Sequence, residues 1–297
     1  MIRAVVANGR AADWVTPVGR RSLVRRLWDQ PTGRAGLVIL AIMMLAGLAS
    51  LTKLSPAAPA AQNPLATLKP PSGAHLFGTD QFGRDVFSRV LAGIVLSVQT
   101  AAVAVAICAT IGTLGGVAAG YLGGPVSWAV TTVADVVFAV PSILLALAIV
   151  SALGPGWQNT AIAVGISYTP IFIRVVRGPV LAIRQADYVK AGQVLGFSRR
   201  RLVFRHVLPG VGGILAVQVT LALGWAVLTE AGLDFLGLGP PPPAATLGLM
   251  VSDGMNLAGV AWWNLAFPAV AVVLLILGFT LTGDGLRDAL DPTTSAR

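Results

Sequence analysis

Long apolar stretches without a charged residue alternate along the chain with short charged segments. The uncharged runs occupy residues 35–52, 90–134, 136–173, 206–229 and 254–283, and they hold 18, 45, 38, 24 and 30 residues. A helix needs about 20 predominantly apolar residues to cross the hydrocarbon core of a bilayer. The pattern therefore predicts a membrane protein, and the longest run has room for more than one crossing.

Glycine and proline divide the two longest runs. Tyr121-Leu-Gly-Gly-Pro125 interrupts the first run and Gly154-Pro-Gly-Trp157 interrupts the second. The uncharged stretch 235–252 is not expected to cross, because it contains four consecutive prolines that donate no backbone hydrogen bonds. The pattern predicts an all-α membrane protein with six transmembrane helices, at about 35–52, 92–120, 127–152, 158–177, 211–233 and 261–283.

The composition agrees with this pattern. Of the 297 residues, 55% are hydrophobic and 11% are charged, whereas a soluble domain carries about 25% charged residues. The chain has too few charges to cover a surface that faces water. Its single cysteine, Cys108, lies in an apolar run, which excludes a disulfide within the chain and a cysteine-based metal site.

The net charge of +9 could indicate nucleic-acid binding, but the positions of the basic residues indicate membrane topology. With six crossings, both termini and the loop at 178–210 share one side. Of the 21 basic residues, 17 lie there or at the adjoining end of the fourth helix. Since basic residues are retained in the cytoplasm, we expect cytoplasmic termini and no nucleic-acid partner.

This topology divides the chain into five predicted segments. Residues 1–34 form a cytoplasmic segment, 35–52 the first transmembrane helix, 53–91 an extracytoplasmic segment, 92–283 a transmembrane core, and 284–297 a cytoplasmic tail. The first segment is too long for the charged start of a signal peptide, and no clear cleavage motif follows. We therefore expect the first helix to be an uncleaved anchor.

Few side chains support catalysis. The two histidines, His75 and His206, fall on opposite sides of the membrane, so neither a histidine metal cluster nor a catalytic triad is expected. None of the three lysines lies in a Gly-Lys-Ser/Thr phosphate-binding motif. We therefore predict that the chain is not an enzyme and binds no cofactor or metal. Any ATP and Mg²⁺ used in transport would be bound by other subunits.

Carboxylates near the predicted crossings are scarce. Asp135, Glu230 and Asp234 all lie toward helix ends. Ion-coupled carriers usually keep ionisable groups at mid-membrane, so the pattern disfavours that class. We expect Asp135 to pair with a neighbour near the membrane interface, and a role in transport is the alternative.

Four glycines recur at every fourth position along the second predicted helix: Gly112, Gly116, Gly120 and Gly124. Small residues at this spacing let two membrane helices approach closely. The row predicts tight helix packing and no chemistry.

The loop at 178–210 contains two short predicted helices. Asp187 is a candidate cap for the first helix and Gly196 is a candidate stop. Ser198 is a candidate cap for a second helix, which we expect to end before Pro209. The result is a helix–turn–helix knob that projects into the cytoplasm.

An apolar face marks the first of these two helices. Tyr188, Ala191 and Leu195 fall on one side of it. The small residues Ala191 and Gly192 would let a groove of another protein approach closely. We therefore expect the knob to form a mechanical joint with a soluble partner.

This loop resembles the coupling loop of ABC importer permeases, whose signature is Glu-Ala-Ala, three residues, Gly, about nine residues, an apolar residue and Leu-Pro. The chain matches that signature at Ala191, Gly196, Leu208 and Pro209. It departs at Lys190 and Gly192, where the signature has Glu and Ala. The longer form Asp-Tyr-Val-x-Ala-x-x-x-Leu-Gly is similar to the dipeptide/oligopeptide permease branch.

Three further segments extend the resemblance over residues 35–292. Residues 75–89, 230–241 and 283–292 are similar to parts of the second, C-type permease subunit of that branch. The resemblance implies a type I ABC importer permease that forms a pathway for dipeptides or oligopeptides. The implied partners are a homologous permease, two cytoplasmic ABC ATPases and an extracytoplasmic solute-binding protein.

The resemblance also implies which residues couple the chain to the ATPases. They are Asp187, Tyr188, Lys190, Ala191, Gly192, Leu195, Gly196 and Pro209. We expect Tyr188, Ala191, Gly192 and Leu195 to dock, and Gly196 to make the turn.

The segment at 75–89 is predicted to be an amphipathic helix outside the membrane. Asp80 with Arg84, and Asp85 with Arg89, are acid-before-base pairs four residues apart, a spacing that stabilises helices. These pairs could serve the helix alone or could dock the solute-binding protein. The two roles are compatible. In the same way, the proline-rich loop at 239–259 could cap the pathway or only cover the helix ends.

Three other functions are compatible with the sequence. An ion-coupled secondary carrier would use a proton or sodium gradient. An ABC importer could carry another solute, such as nickel. A membrane scaffold could bind anionic lipid or nucleic acid through the arginine-rich N-terminus. The sequence does not identify the substrate or the residues that line its path.

Overall fold

The computed structural model describes residues 23–50 and 57–290. The arginines before residue 23, Lys53, and the tail beyond residue 290 lie outside this part. Eleven α-helices follow in order: α1 (Leu23–Asp29), α2 (Pro31–Ala49), α3 (Val86–Leu122), α4 (Gly124–Phe138), α5 (Ser142–Leu153), α6 (Trp157–Arg184), α7 (Asp187–Val194), α8 (Arg199–Leu202), α9 (Leu208–Phe235), α10 (Leu247–Met255) and α11 (Trp263–Leu290). A 3₁₀ turn spans Pro64–Ala66, and a π-helical turn at Val203–Val207 joins α8 to α9.

Five continuous helical runs are long and apolar enough to cross a membrane: α2, α3, α6, the run from α8 through α9, and α11. The pair α4 and α5 makes a sixth crossing if it is counted as one span. The described residues form no β-strand, and the pair Thr79 and Asp85 makes an isolated bridge. The prediction of an all-α membrane protein is therefore confirmed, and its six spans are matched when α4 and α5 are counted as one.

The third predicted span is not the straight helix expected over 127–152. It breaks between Phe138 and Ser142, where α4 and α5 meet at an angle of 86°. Pro141 lies at this break. Proline has no N–H to donate, and it disfavours helical backbone at the preceding residue, so the break has a local cause.

Three other helices extend six or seven residues beyond their predicted bounds. α3 begins at Val86 rather than at 92, because Asp85 caps it with a side-chain hydrogen bond to the Ser88 N–H. α6 continues to Arg184 rather than ending at 177, in spite of Pro179 inside it. α11 continues to Leu290, so the first part of the predicted tail is helical.

The central packing lies between α3 and α6. A Cβ added at Gly112 would overlap the Phe172 Cβ, and one at Gly116 would lie 2.7 Å from the Val176 Cβ. Gly120 is as tightly covered, by Val180. The predicted glycine row therefore does bring a neighbouring helix close. Its fourth member does not belong to it, because Gly124 begins α4 and has no atom within 4 Å of an added Cβ.

The remaining helices surround this pair. α9 and α11 contribute Val227, Leu233 and Leu275 to the same buried core, and α2 packs along α11. Gly36 of α2 faces the Thr282 backbone of α11 at a distance that leaves no room for a Cβ. α10 covers the end of the bundle where α9 finishes and α11 begins.

Gly116→Ala is expected to lower the melting temperature of the purified chain. The new Cβ would overlap the Val176 side chain and lie 2.8 Å from the Ile173 carbonyl oxygen, at a cost of about 1–3 kcal/mol. Gly212→Ala in α9 is the matched control, because an added Cβ there meets no atom within 4 Å. Thermal unfolding in one detergent measures both, and equal melting temperatures would contradict the packing role.

Candidate coupling surface and arginine–aspartate cluster

The knob between α6 and α9 consists of α7, α8 and the turn between them, residues 187–202, and is called the coupling knob below. α7 begins at Asp187, but its cap position is Ala186, which makes no side-chain hydrogen bond. The prediction that Asp187 caps the helix is therefore wrong by one residue. Its carboxylate lies in the first helical turn, where the helix dipole favours a negative charge. The Lys190 Nζ lies 4.0 Å from it, and both side chains are exposed.

α7 ends at the predicted stop. Gly196 has a φ of 78°, in the left-handed region that glycine adopts without strain. The Gly196 N–H donates to the Gln193 carbonyl, and the Phe197 N–H donates to the Gly192 carbonyl, both at 3.0 Å. This pair of bonds is the Schellman arrangement, which satisfies the last carbonyls of a helix and reverses the chain.

The apolar face of α7 points away from the protein, as predicted. The side chains of Tyr188, Ala191 and Leu195 are exposed, and Leu195 retains 72% of its accessible surface. Val194 is exposed at 88%, more than Tyr188 or Leu195, although the sequence pattern did not single it out. The opposite side of α7 packs against the protein through Val189 and Gly192. An apolar helix face that stays exposed in this way indicates a binding surface.

Gly192 belongs to the opposite, inner side of α7. It is buried, and an added Cβ would lie 2.8 Å from Leu202 of α8 and 3.2 Å from Phe197. The expectation that Gly192 lies on the docking face is therefore wrong. Its small size lets α7 pack directly onto α8, with Val189 buried beside it.

The second short helix begins as predicted but does not end as predicted. The Ser198 hydroxyl caps α8 by accepting a hydrogen bond from the Arg201 N–H. The helical path then continues through the π-helical turn into α9, where Pro209 occupies the first turn. Pro209 therefore lies inside a continuous helical run and does not mark the end of a helix.

At the other end of the bundle, the segment at 75–89 is not the predicted amphipathic helix. Helical backbone begins only at Val86, and residues 75–85 form turns. The Asp80 carboxylate accepts hydrogen bonds from the backbone N–H groups of Phe82 and Arg84, at 2.8 and 2.9 Å. An aspartate that binds nearby backbone in this way favours a turn over a helix. Gly83, with a φ of 68°, completes the turn.

Two buried arginines surround Asp80. The Arg84 Nε lies 2.6 Å and the Arg89 Nε 3.7 Å from the same carboxylate oxygen. The Asp80–Arg84 pair is therefore confirmed, although it forms across a turn. The predicted Asp85–Arg89 pair is wrong, because Asp85 instead accepts from Ser88 at 2.8 Å and contacts the His75 Nδ1 at 3.1 Å. All four predicted docking residues are buried.

Asp253 of α10 completes the arginine–aspartate cluster. Partial burial raises the pKa of Asp253, and the nearby positive charges of Arg84 and Arg89 oppose that rise. A cavity of about 270 Å³ opens beside these three residues and is also lined by Gln62 and Phe82. The sequence pattern did not connect α10 with this segment, because 164 positions separate Arg89 from Asp253.

The segment is fixed to the bundle through Thr79. The Thr79 carbonyl accepts hydrogen bonds from the Trp263 Nε1 at 3.1 Å and the Asn264 Nδ2 at 3.3 Å, and both residues lie at the start of α11. Its hydroxyl donates to the Ala66 carbonyl. Residues 66–89 therefore form a folded cover on the helix ends, held by polar contacts.

Comparison with known proteins decides the class of this membrane chain. The family described as the inner membrane component of binding-protein-dependent transport systems matches residues 112–296. The chain belongs to this family. It is therefore a multi-pass permease of the bacterial inner membrane, and the resemblance inferred from the coupling loop is confirmed.

Individual relatives of the permease cover most of its length. It is 44% identical over 230 residues to the dipeptide transport system permease protein DppC of Alkalihalophilus pseudofirmus, which spans 77% of this chain and 76% of the relative. It is 40% identical over 259 residues to the probable D,D-dipeptide transport system permease protein DdpC of Escherichia coli, with 87% of each covered. The oligopeptide transport system permease protein OppC of Bacillus subtilis is 40% identical over 230 residues, which are 77% of this chain and 75% of the relative.

The sequence also did not predict one buried polar contact of the permease. Glu230 of α9 is 2% exposed, and its carboxylate accepts a hydrogen bond of 3.2 Å from the Ser97 hydroxyl of α3. Asp234 lies one turn later and is equally buried. Its carboxylate fits against Gly239, where a Cβ would overlap it. The four-residue spacing of Glu230 and Asp234 shows that they share one face of α9, but the contact of Glu230 with Ser97 of α3 could not be inferred from that spacing.

Asp80→Ala in the permease is expected to loosen the turn at 80–84. The Phe82 and Arg84 amides would lose charge-assisted hydrogen bonds of about 1.5–3 kcal/mol, so their hydrogen exchange should accelerate about tenfold or more. Hydrogen-exchange mass spectrometry of the purified chain measures this rate. Gln81→Ala, which changes the exposed neighbour, is the control, and unchanged exchange in Asp80→Ala would contradict the assignment.

Proposed function

We propose that this permease is one of two homologous transmembrane subunits of an ATP-driven importer of dipeptides or oligopeptides. The observation that carries the proposal is an exposed apolar helix face on a knob between two spans of a binding-protein-dependent transport permease. Relatives named as dipeptide, D,D-dipeptide and oligopeptide permeases support the choice of substrate class.

The other components follow from this assignment. Two cytoplasmic ATPases bind ATP and Mg²⁺, and the permease itself binds neither and catalyses no reaction. An extracytoplasmic solute-binding protein delivers the peptide to the end of the bundle that carries the arginine–aspartate cluster. Because Asp80, Arg84, Asp85 and Arg89 are buried, we assign them to the support of that docking surface, with exposed neighbours such as Phe82 in contact with the binding protein.

The coupling knob suits the transmission of force. Two residues separate α6 from α7, and α8 runs through the π-helical turn into α9. The close contact of Gly192 with Leu202 makes α7 and α8 move together. When ATP draws two ATPases together, movement of the knob therefore reaches α6 and α9 at the same time. The nucleotide acts by favouring one of two arrangements of the permease pair.

Ala191→Glu tests the docking face. The substitution places a charge on the apolar surface of α7, where an ATPase groove would have to bury it without a partner. ATP-dependent peptide uptake by the reconstituted complex is expected to fall about tenfold or more, together with the ATPase activity stimulated by the binding protein.

Gln193→Glu is the matched control, since it adds the same charge to the same helix outside the Tyr188–Ala191–Leu195 face. Membrane insertion of both variants is checked by their yield and elution in mild detergent. Normal uptake by Ala191→Glu would refute the docking assignment. Peptide uptake by the permease in vesicles that lack ATPases would refute the proposed energy source.

A further inference from the structure

Three charged side chains lie partway along two spans and point away from the core. Asp135 is eleven residues into α4, about 16 Å from its start, and Arg174 is ten residues before the end of α6, about 15 Å from that end. Arg177 lies one turn after Arg174 on the same helix. α6 is about 42 Å long, which exceeds the roughly 30 Å of a bilayer core, and Arg174 lies about 25 Å from its other end at Trp157. These charges therefore lie in the part of the span that leads toward the coupling knob.

The charges form an organised group, called the mid-span cluster below. The Arg174 Nη2 lies 2.7 Å from the Asp135 Oδ1. The Arg174 guanidinium also covers the Phe138 ring, 4.0 Å from its centroid. The Arg177 Nε donates to the Ser127 hydroxyl at 3.4 Å, a long bond that leaves the rest of its guanidinium available. Two positive charges and one negative charge leave the cluster with a net charge of +1.

This cluster is not a buried structural ion pair. The side chains of Asp135 and Arg174 keep 63% and 45% of their accessible surface. A charged side chain within a membrane span is costly where it faces lipid, so such residues face a partner or a water-filled path. The pairing expected for Asp135 is therefore present, and the exposed pair does not fit a simple structural role.

A cavity adjoins the charges. It has a volume of about 420 Å³ and is lined by Thr131, Ala134, Asp135, Ile173, Arg174 and Arg177, together with Gly178. Sites for small ligands commonly have volumes of about 300–1,000 Å³. The cavity lies between α6 and α4, the first half of the broken span. Ala134, which lines it, is the buried residue of α4.

We propose that the mid-span cluster is a substrate-contacting site that recognises the charged ends of a zwitterionic solute as it crosses the membrane. The inference rests on the proposed importer function and identifies residues that line its path. Arg177 and Arg174 bind the carboxylate of the solute, and Asp135 binds its ammonium group. The net positive charge makes the carboxylate the stronger determinant.

Thiol labelling tests whether the site is open to water in the assembled importer. Thr131→Cys places a thiol in the cavity wall, and the native Cys108 is 1% exposed and does not compete. Reconstituted complexes are treated with methanethiosulfonate reagents that carry either a sulfonate or a trimethylammonium group. The sulfonate reagent is expected to react about tenfold faster, because the two arginines attract it. Adding Arg177→Gln should reduce this preference about threefold or more.

Leu114→Cys is the control thiol, on an exposed apolar position of α3 outside the cavity. It is expected to show no preference for the anionic reagent. If Thr131→Cys reacts with neither reagent, the face is covered by protein or lipid and the inference is wrong. Equal rates for the two reagents at Thr131→Cys would also overturn it.

Uptake of a matched substrate pair tests recognition itself. The probes are L-alanyl-L-alanine and its C-terminal amide, each supplied with saturating binding protein, and the measured quantity is the ratio of their maximal uptake rates. Arg177→Gln is expected to lower this acid-to-amide ratio about fivefold. Arg177→Gln leaves the Asp135–Arg174 ion pair intact, so the variant is expected to fold as the wild type does. Arg34→Gln, an exposed arginine on α2, is the control and should keep the wild-type ratio.

The two proposals fail in different ways. If the wild-type complex takes up neither dipeptide with ATP, the peptide importer assignment fails, and the labelling result still decides whether the cavity is an anion-attracting aqueous site. If the wild type takes up the dipeptide and Arg177→Gln keeps the acid-to-amide ratio, the importer assignment holds and the mid-span cluster is not a recognition site.

Discussion

The close packing of α3 against α6 is the contact on which the rest of the molecule depends. Three glycines on α3 remove the side chains that would otherwise separate the two helices, and Phe172, Val176 and Val180 fill the space. Lipid offers no hydrophobic gain when two helices associate, so close van der Waals packing has to hold them together. The two helices connect the candidate functional groups, most of which lie on neighbouring segments. α3 begins beside the arginine–aspartate cluster, while α6 holds Arg174 midway and leads into the coupling knob.

The two ends of the bundle differ in which groups they bury and which they expose. The coupling knob leaves apolar surface exposed and is supported from behind by small, tightly packed residues. The cover at residues 66–89 instead buries charged side chains in contact with one another. Side chains such as Asp80 accept hydrogen bonds from its backbone N–H groups. In the proposed importer, the knob exchanges contacts with a moving partner. The cover has to keep its shape while a binding protein arrives and leaves.

Charge-free runs were sufficient to predict the spans and the all-α class, because a bilayer penalises charges and unpaired backbone groups. The helical spacing of Tyr188, Ala191 and Leu195 predicted the exposed face of α7. The features that could not be predicted depend on contacts between distant residues or on competing local hydrogen bonds. The spacing of Asp80, Arg84, Asp85 and Arg89 fits a helix, yet Asp80 binds backbone N–H groups and forms a turn. Gly192 has the size for a docking surface, yet it faces Leu202, which the sequence places ten residues away.

The run from Arg199 to Phe235 contains 37 residues of continuous helical path and extends about 55 Å. A bilayer core is about 30 Å thick, so this rod is longer than the membrane it crosses and must project beyond it. If the helical run tilts about a point within the bilayer, its two ends move in opposite directions. The end at α8 carries the knob, and the end near Phe235 carries the buried Glu230 contact to α3. In the proposed importer, a tilt of this run would therefore close the protein on one side of the membrane while it opens the other.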